Sequence, residues 1–583
     1  MEKENRKTYV KIDRETGSDE IFAMLDQIES ETESDVENLL EDSDTEYIAE
    51  EDIPDENVES HEVLVPEATV HVIGESNNEE EPPSKKLKKK IFKMNWNRKP
   101  NFVKTSKCRL EENIILDIPE NATSIDIFEK TTNLDVLVDL ITEQTNLYAA
   151  QNGREFVTSK EEIRAFLGIN FIMSVSKLPN LKCYWNVDSF FSNDGVRNAI
   201  TRTRFTSILQ NLHFADNESA DKSDKGYKMR TVITHLNEAF REAVSDASKQ
   251  SIDEHMTKFK GKMSCKQYMK NKPIKWGFKW WCRCSSKTGY LYEFDLYLGK
   301  KEKTEFGLGE TVVLNLSKRL EKTYCMLFFD NFFNSPMLVY KLYERGIYSV
   351  GTVRSDRKNM AIMRKDKDME RGDVDFQNAE NVFAVKWFDN RRVTLVGTCQ
   401  LGCNRVSSVL RRVKGQAAKI AVTCPEVIKD YNSGMGGVDL LLDQRTAAYK
   451  LDRKSSGGRY YLRLFFDLMD MSVVNSHVVY KGLNPKGMEL LDFKIVVAKS
   501  LIGTYNNRIR SSSLSHASRR EVFPSSTPLH LPIIQATRGK CRYCSAGGVE
   551  NKTYIQCNTC GVYLCLITGN NSRNCFANFH IHV

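Results

Sequence analysis

The chain has 583 residues, of which 28% are charged and 40% hydrophobic. This length is too great for one hydrophobic core and predicts roughly two to four domains. No stretch approaches the roughly 20 consecutive apolar residues of a membrane helix, and the N-terminus lacks the apolar core of a signal peptide. We therefore expect neither a membrane protein nor a secreted one.

Charge is divided unevenly along the chain. Residues 11–81 contain 26 acidic and two basic residues, a net charge of −24. Because the whole chain carries +6, the remaining residues carry +30. An acidic segment joined to a strongly basic body indicates a polyanionic partner, most often nucleic acid, although a merely soluble basic protein has the same composition.

The first hundred residues, 1–100, are predicted to be a disordered acidic tail with a basic linker, because acidic residues dominate and apolar ones are sparse. The linker contains the sequence PPSKKLKKK at 82–90. A short lysine block in a flexible segment is typical of a nuclear localisation signal, and it predicts a nuclear protein. A solvated run of charge is the alternative.

A helical, basic segment is predicted from about residue 113 to 247. Apolar residues recur at helical spacing between 127 and 141, and Ser159 with Glu162 has the spacing of a capping box. Arginines and lysines between 202 and 230 add positive charge. No helix-turn-helix pattern is clear enough to name.

Strands replace helices near Ser251. A hairpin with one buried face is predicted next, because large apolar residues alternate with Lys275, Lys279 and Arg283. A helix, a central strand, a second helix and a strand follow between 310 and 353. Three strands, helix, strand, helix, strand is the element order of a ribonuclease H-like α/β fold, interrupted here by a strand-rich basic insertion at about 355–425.

Three aspartates stand where such a fold gathers its acids. Asp253 lies on the first strand, Asp330 at the end of the central strand, and Asp439 at the start of the helix after the insertion. In-line phosphoryl transfer uses two divalent ions about 4 Å apart, and carboxylates are the hard oxygen ligands that Mg²⁺ prefers. Helix capping by Asp330 and Asp439, and an ordinary strand-edge role for Asp253, are the structural alternatives.

The last segment, 538–583, is predicted to be a cysteine-rich zinc-binding domain. Eight ligands with paired CxxC spacing fit two tetrahedral, structural Zn²⁺ ions: Cys541, Cys544, Cys557, Cys560, Cys565, Cys575, His580 and His582. A cross-brace would join the first pair of ligands with the third and the second with the fourth, although the spacing alone leaves the pairing open. Redox dithiols and free core cysteines are the alternatives.

Three ordered motifs resemble the piggyBac transposase family. They are SIDEHMTKFKGK at 251–262, FFDNFFNS at 328–335 and YNSGMGGVD at 431–439, and the likeness extends from about residue 113 to the C-terminus. The resemblance implies a DNA transposase or a domesticated derivative that binds double-stranded DNA as a homodimer, excises through DNA hairpins and inserts at TTAA. It also implies that the matching aspartates bind two catalytic Mg²⁺ ions.

The resemblance further implies a domain arrangement. A helical DNA-binding and dimerisation domain, 113–247 with 445–520, would be split by a ribonuclease H-like catalytic domain at 248–444. The cysteine-rich domain would be a RING- or PHD-like finger that binds transposon-end DNA, or alternatively chromatin or protein. The residues predicted to contact DNA are Lys275, Lys279, Arg453 and Lys454.

One departure from the family concerns its fourth acid, which follows the third by three residues. Here Asp443 follows Asp439 by four residues. On an α-helix these two spacings differ in direction by about 100°, so Asp443 is predicted to assist catalysis through a bound water, or else to be a surface acid. Two rival functions remain: a domesticated DNA- or chromatin-binding protein with a silent catalytic core, and a ribonuclease H-like nuclease unrelated to transposition.

Overall fold

The computed structural model describes residues 93–99, 106–119, 121–188, 190–191, 193–270, 272–299, 306–398, 405–412, 419–451, 459–506, 530–566 and 574–581. The acidic tail up to residue 92 with its lysine block, the predicted DNA contacts Arg453 and Lys454, and the predicted zinc ligand His582 lie outside these residues. The chain divides into two compact units, Met1–Arg508 and Ile509–Val583. Among the described helices, none is both long enough and apolar enough to cross a membrane.

The larger unit begins with a group of α-helices: α1 (Ser124–Thr132), α2 (Leu134–Gln151), α3 (Lys160–Val175), α4 (Asp194–Ala199), α5 (Arg202–Asn211) and α6 (Tyr227–Ala243). Helix α3 begins where expected, because Ser159 Oγ accepts the backbone N–H of Glu162. The Glu162 carboxylate does not complete the predicted capping box. It accepts hydrogen bonds from Thr158 and Arg204 instead, at 2.7 Å and 2.8 Å.

A mixed sheet of nine strands follows. The strands are β1 (Lys249–Lys258), β2 (Gln267–Tyr268), β3 (Trp276–Ser285), β4 (Leu291–Leu296), β5 (Met326–Phe329), β6 (Tyr348–Thr352), β7 (Val374–Ala379), β8 (Val382–Phe388) and β9 (Arg392–Thr398). Their lateral order is β2-β3-β1-β5-β6-β9-β8-β7, with β4 paired to β3. Strands β1, β5 and β6 are parallel to one another, and the other pairings are antiparallel.

Helices cover both faces of the centre of this sheet. Helices α7 (Leu308–Leu316) and α8 (Pro336–Glu344) lie on one face with Trp281, and the helical group lies on the other with Trp280. The predicted hairpin with one exposed face is therefore wrong for β3. Its basic residues Lys279 and Arg283 are buried, at 6% and 0% exposure, because a sheet between two helical layers has no solvent face.

The segment expected as an insertion continues the sheet. Strand β9 pairs with β6 in antiparallel register, and β8 and β7 extend the sheet beyond it. Strands β10 (Val406–Arg412) and β11 (Lys419–Pro425) form a separate antiparallel pair. The segment is thus strand-rich, but most of its strands share the sheet of the preceding elements.

The chain then returns to β1 through a tight connection. Helix α9 (Glu426–Gly434) leads through a 3₁₀ turn (Met435–Gly437) and a π-helical turn (Val438–Asp443) into α10 (Gln444–Ala448). A Cβ atom on Gly437 would lie 2.3 Å from Ser251 Oγ of β1. Only glycine therefore allows the turn to approach the strand this closely.

Two long helices complete the larger unit. Of the 24 residues of α11 (Tyr460–Leu483), 20 are buried, so α11 is a central helix rather than an amphipathic surface helix. Helix α12 (Leu490–Ile502) packs against α3 so closely that a Cβ on Gly168 would lie 2.6 Å from the Ala498 carbonyl oxygen. The helices on both sides of the sheet segment in the sequence therefore share one core.

The smaller unit contains little regular structure. Strand β12 (Pro532–Lys540) pairs with β13 (Lys552–Cys557) in antiparallel register, and the short helices are α13 (Arg542–Ala546) and α14 (Cys575–Ile581). Its core consists of six cysteines with a few apolar side chains. So small an apolar core indicates that the cysteines have a stabilising role beyond packing.

Candidate active site and metal centres

Two of the predicted acids lie on, and directly after, two neighbouring parallel strands. Ile252 of β1 is paired with Phe329 of β5, so the residues that follow them, Asp253 and Asp330, are neighbours across the sheet. Strands in a sheet are roughly 4.8 Å apart, which brings the two side chains into one region. The sequence separates them by 77 positions, and only the pairing of β1 with β5 unites them.

The helix-cap alternative for Asp330 does not hold for the helix that follows it. Ser335 accepts the backbone N–H of Leu338 and caps α8. Asp330 Oδ1 instead accepts the backbone N–H of Phe332 at 2.9 Å, within the turn that leaves β5. This hydrogen bond orients the carboxylate.

The π turn carries the third acid to the same region. Asp439 Oδ1 accepts a hydrogen bond from Lys272 Nζ at 2.9 Å, and that ammonium lies 3.8 Å from Glu254 Oε1. Glu254 is the residue after Asp253 on β1. Lys272 therefore connects the loop between β2 and β3 with the acids of β1 and of the π turn.

Electrostatic interactions show that these acids share one environment. Burial, together with the charges of Glu254 and Asp439, raises the pKa of Asp253 well above its ordinary value. Burial and the charge of Glu254 also raise the pKa of Asp330. Burial opposes the charged form of Lys272, but the carboxylates of Asp253, Glu254 and Asp439 raise its pKa. The region thus holds more negative charge than its one hydrogen-bonded lysine balances.

The donor chemistry of this region fits Mg²⁺, because its oxygen donors are carboxylates at the meeting point of separate elements. In the part of the chain that the structure describes, however, no three of these carboxylates have oxygens within 4.8 Å of one another. The Asp439 side chain is half exposed and hydrogen-bonded to Lys272. Three carboxylates are present in one region, but their side chains are not drawn together around a single point.

Two of the lysines predicted to contact DNA have different surroundings. Lys275 immediately precedes β3, and Lys279 lies on it. Lys275 is exposed. Lys279 is buried, with its ammonium 4.9 Å from the ring of Trp281 and 5.2 Å from that of Phe332. Burial lowers the pKa of Lys279. Lys279 therefore lacks the exposed position that a contact with duplex phosphates needs, because it is buried beside the rings of Trp281 and Phe332.

Asp443 is hydrogen-bonded to a histidine on β1. Its Oδ1 lies 2.6 Å from His255 Nδ1, and His255 Nε2 lies 2.8 Å from Asp467 Oδ2 of α11. Burial disfavours the imidazolium, but the carboxylates of Asp443 and Asp467 raise the pKa of His255 to about 9. Lys450 Nζ binds the other oxygen of Asp467 at 2.5 Å. At neutral pH the imidazolium donates to both carboxylates, and it joins the π turn to α11.

His255 and Asp467 were not among the residues predicted from the sequence. A signal for His255 was available, because it is two residues after Asp253 on a strand, and alternate residues of a strand face the same side. Asp467 carried no such signal. It is one of many residues in a long helical pattern, and only the packing of α11 against β1 brings it to His255.

The smaller unit contains two groups of four potential metal ligands. Cys541, Cys544, Cys565 and Cys575 are all buried, and their sulfur atoms lie within 4.8 Å of one another. The second group, with its ligand atoms equally close, is His530, Cys557, Cys560 and His580. The two sets alternate along the chain, which is the interleaved pairing of a cross-brace. Tetrahedral sulfur and nitrogen donor sets of this kind fit Zn²⁺.

His530 was not predicted as a ligand. It lies in the polar segment before the first CxxC, where a lone histidine carries no spacing signal. Its Nδ1 lies 3.0 Å from Cys560 Sγ. His580 Nδ1 donates to the Phe576 carbonyl oxygen at 2.7 Å, which leaves Nε2 to face Cys560 at 3.6 Å and fixes the ligating nitrogen. The predicted eighth ligand, His582, lies outside the described residues.

Comparison with known sequences gives a consistent set of relatives. The transposase IS4 family matches residues 124–477. The human PiggyBac transposable element-derived protein 3 is 30% identical over 441 residues, which are 74% of this chain and 73% of the relative. The human PiggyBac transposable element-derived protein 2 is 27% identical over 423 residues, 70% of each chain.

A solved structure shows the same fold. It is a cryo-EM structure of a piggyBac transposase synaptic complex with hairpin DNA. The likeness has a TM-score of 0.60 at 22% sequence identity, and it covers 76% of this chain and 96% of that chain. About three quarters of the chain therefore has a fold already known in a solved protein.

Proposed function

The chain belongs to the transposase IS4 family, among the relatives of the piggyBac transposable element-derived proteins, and from this premise we propose that it cuts and joins DNA strands. The proposed activity is two-metal phosphoryl transfer at TTAA sites, either as an active transposase or in a domesticated derivative. The solved relative named above is a synaptic complex with hairpin DNA, which supports double-stranded DNA as the substrate.

One observation carries this proposal. Three aspartates come from three separate elements: Asp253 from β1, Asp330 from the end of β5, and Asp439 from the π turn. They lie in one electrostatic environment. Phosphoryl transfer requires carboxylates from separate elements to converge on the reacting phosphate. The raised pKa of Asp253 has burial and the charges of Glu254 and Asp439 as its causes, and a divalent cation would offset the repulsion among these carboxylates.

The sheet supports the finer proposal of a ribonuclease H-like catalytic domain. Its part β4-β3-β1-β5-β6 combines three antiparallel strands with two that run parallel to β1. The shared core of the helices before and after the sheet supports one helical DNA-binding domain assembled from two segments, 113–247 and 445–520. We include a homodimer in the proposal because the resemblance to the piggyBac family implies one.

The chain's own residues have distinct proposed roles. Asp253, Asp330 and Asp439 would hold two Mg²⁺ ions, which when bound supply the positive charge that activates the attacking oxygen and stabilises the leaving oxygen. The buried imidazolium of His255 holds Asp443 and so positions the π turn that bears Asp439. Lys272 neutralises Asp439 and would move from it when a cation approaches.

Further proposals concern the smaller unit and the cell. Its two ligand groups would hold two structural Zn²⁺ ions and present a finger that binds transposon-end DNA, or else a chromatin protein. The lysine block at 82–90 would direct the chain to the nucleus. The zinc content of the purified chain tests the first proposal. The cellular localisation of a variant with residues 82–90 replaced by alanine tests the second.

A catalytically silent, DNA-binding derivative is the second candidate function. It is favoured by the hydrogen bonds that engage the acids, since Lys272 binds Asp439 and His255 binds Asp443. In such a protein the positive side chains would replace the cations permanently. DNA binding would then persist without any cleavage.

The deciding experiment is a strand-cleavage assay on DNA with candidate terminal repeats beside TTAA, with and without Mg²⁺. We expect the unaltered chain to cleave, and Asp253→Asn, Asp330→Asn and Asp439→Asn each to abolish cleavage while DNA binding persists. Asp430→Asn, an acid of α9 outside the site, is the matched control. Mn²⁺ binding followed by electron paramagnetic resonance should fall in the three site variants and not in the control.

The outcomes separate the candidates. Cleavage lost in all three variants establishes the metal-dependent site. DNA binding by the unaltered chain without cleavage and without Mn²⁺ binding at the three aspartates would support the silent derivative. Full cleavage by all three variants would show that the assignment of the metal ligands is wrong.

A further inference from the structure

An aromatic pair is exposed at one end of the sheet. Tyr268 of β2 and Trp276 of β3 are directly opposite each other in the antiparallel pairing. Their ring centroids are 4.8 Å apart and the rings are tilted by 42°. The side chains are 51% and 49% exposed. Two large aromatic side chains that pack on each other and are still half exposed provide a π surface that a ligand can reach from solvent.

The surroundings of this pair are strongly basic. Residues 258–279 contain eight lysines and no acidic residue. Lys266 Nζ lies 5.1 Å from the ring of Trp276, and the exposed lysines near the pair include Lys270 and Lys275. A ligand of the pair must therefore combine a flat π face with negative charge. Nucleotides have both properties, whereas an acidic peptide has only the charge.

The pair is connected to the acids of the candidate active site. Lys272, which binds Asp439, lies in the loop between Tyr268 and Trp276. Along β3, Cys282 is opposite Asp253, and six residues of strand separate Cys282 from Trp276, a distance of roughly 20 Å. A DNA strand that passes the acids can therefore reach the aromatic pair within a few nucleotides.

We propose that Tyr268 and Trp276 bind an unpaired base of the DNA substrate, while the nearby lysines bind the adjoining phosphates. The inference rests on the proposed function, since that function makes DNA the substrate. Bases within a duplex are already stacked on both faces, so an exposed aromatic pair can add a stacking contact only to an unpaired one. The pair would thus distinguish DNA with a loop, a hairpin tip or a single-stranded end from fully paired DNA.

The experiment compares two fluorescein-labelled DNA probes with the full chain in buffer without Mg²⁺. One probe is a hairpin with a loop of unpaired thymines, and the other is a fully paired duplex with the same stem. We expect Trp276→Ala and Tyr268→Ala to weaken binding of the looped probe about tenfold, which is about 1.4 kcal/mol, and to leave the duplex unaffected. Trp276→Phe should restore most of the affinity, because phenylalanine still stacks.

Salt dependence separates stacking from charge. Lys270→Ala should weaken both probes and lower the slope of log affinity against log salt by about one. Trp276→Ala should leave that slope unchanged, because it removes no phosphate contact. Phe190→Ala is the matched control, since Phe190 is an aromatic residue of the helical part that is 88% exposed.

Several results would overturn the inference. Trp276→Ala could weaken the binding of both probes equally, or of neither, while the unaltered chain binds and cleaves DNA. In that case the proposed function would stand, but the aromatic pair would not be a binding site for an unpaired base. An unaltered chain that binds neither probe would refute both. Weaker binding of polyglutamate to Trp276→Ala than to the unaltered chain would make the pair a peptide site and also overturn the inference.

Discussion

His255 binds two carboxylates at once, and this contact determines what Asp443 can do. One oxygen of Asp443 is held by the imidazolium at 2.6 Å, and the side chain is only 29% exposed. A carboxylate held in this way is poorly placed to rotate toward a metal ion as a direct ligand. We infer that Asp443 positions the π turn, which agrees with the auxiliary role predicted for it, although through a histidine rather than a bound water.

The first prediction compares the acids of the π turn. Asp439→Asn should eliminate Mg²⁺-dependent cleavage, whereas Asp443→Asn should reduce it about tenfold, as is usual for residues that orient a ligand. His255→Ala should have a similar effect, and the double variant with Asp443→Asn should lose little more, because both changes break the same contact. Cleavage rates at equal DNA occupancy check this.

An equal and complete loss in Asp443→Asn and Asp439→Asn would make Asp443 a full ligand and refute the positioning role. Fully additive losses in the double variant would show that His255 and Asp443 act separately. His255→Gln is the conservative control, since its amide can still hydrogen-bond to a carboxylate.

Among the secondary-structure elements, the π turn changes how the spacing of the acids must be interpreted. The prediction assumed an α-helix, in which spacings of three and four residues differ by about 100°. In a π turn the hydrogen bond spans one more residue than in an α-helix. The extra residue between Asp439 and Asp443 is therefore accommodated by the wider turn, and the displacement expected for an α-helix does not apply.

A buried acid joins three helical segments of the larger unit. Glu162 of α3 accepts hydrogen bonds from Arg204 of α5 and from Tyr505, three residues beyond α12. Burial raises its pKa, but the hydrogen bonds from Arg204, Thr158 and Tyr505 outweigh burial and lower it below the ordinary 4.5. The lowered pKa shows that the folded helices favour the charged carboxylate.

The second prediction is the pH dependence of this contact. Glu162→Gln should lower the stability at pH 7 by about 2 kcal/mol, the size of a hydrogen bond to a charged group. A lowered folded-state pKa contributes stability above the unfolded-state value of about 4.5, and that contribution is lost as pH falls through the folded-state pKa. The variant and the unaltered chain should therefore differ in thermal midpoint at pH 7 and converge as the pH falls from about 4.5 through the lowered folded-state pKa of Glu162.

Glu143→Gln, a change at an exposed acid of α2, is the control and should leave the midpoint unchanged. A difference between Glu162→Gln and the unaltered chain that grows on acidification would contradict the linkage argument.

For the molecule as a whole, metal ions would take the place of a hydrophobic core in the smaller unit. Its described core consists mainly of cysteines, and a segment this short buries little apolar area. Metal binding would then supply much of its folding free energy. The larger unit has several extensive apolar cores and needs no such support.

The third prediction concerns zinc content. The full chain should bind two Zn²⁺ per molecule, one in each ligand group. His530→Ala should reduce the content by about one ion, because three remaining ligands hold zinc less tightly. His582→Ala should retain both ions, since the second group already has four ligands without it. Metal analysis by mass spectrometry of the purified variants checks this.

Cys183→Ser is the control for loss of a cysteine, because Cys183 lies outside both groups. Retention of both ions by His530→Ala together with loss of one by His582→Ala would reverse the assignment and restore the ligand set predicted from the sequence.

The fourth prediction concerns the charge of the whole chain. Residues 11–81 carry a net charge of −24 against +30 elsewhere, so they should compete with DNA for the basic surface. Deleting residues 1–81 should tighten non-specific duplex binding at low salt, and the gain should fade as salt rises. Anisotropy titrations over a range of salt concentrations check this, and unchanged or weaker binding would count against the competition.

Local sequence patterns were enough to identify the family, the candidate acids, the CxxC pairs and the order of the elements from β3 to β6. These properties depend on local patterns: periodicity, cap spacing and short motifs are read within a few residues. The relatedness to piggyBac proteins follows from motifs of this kind, and the comparisons confirm it.

The tertiary structure decided which residues meet. The burial of Lys279, the bond between His255 and Asp467, the place of His530 beside Cys560 and the π turn at Asp439 all depend on segments far apart in the sequence. No local pattern encodes such contacts. They arise when helices cover both faces of a sheet and when a glycine without a Cβ atom lets a turn pack closely against a strand. Packing across long sequence separations therefore determined the surroundings of the acids, while local chemistry determined their identity.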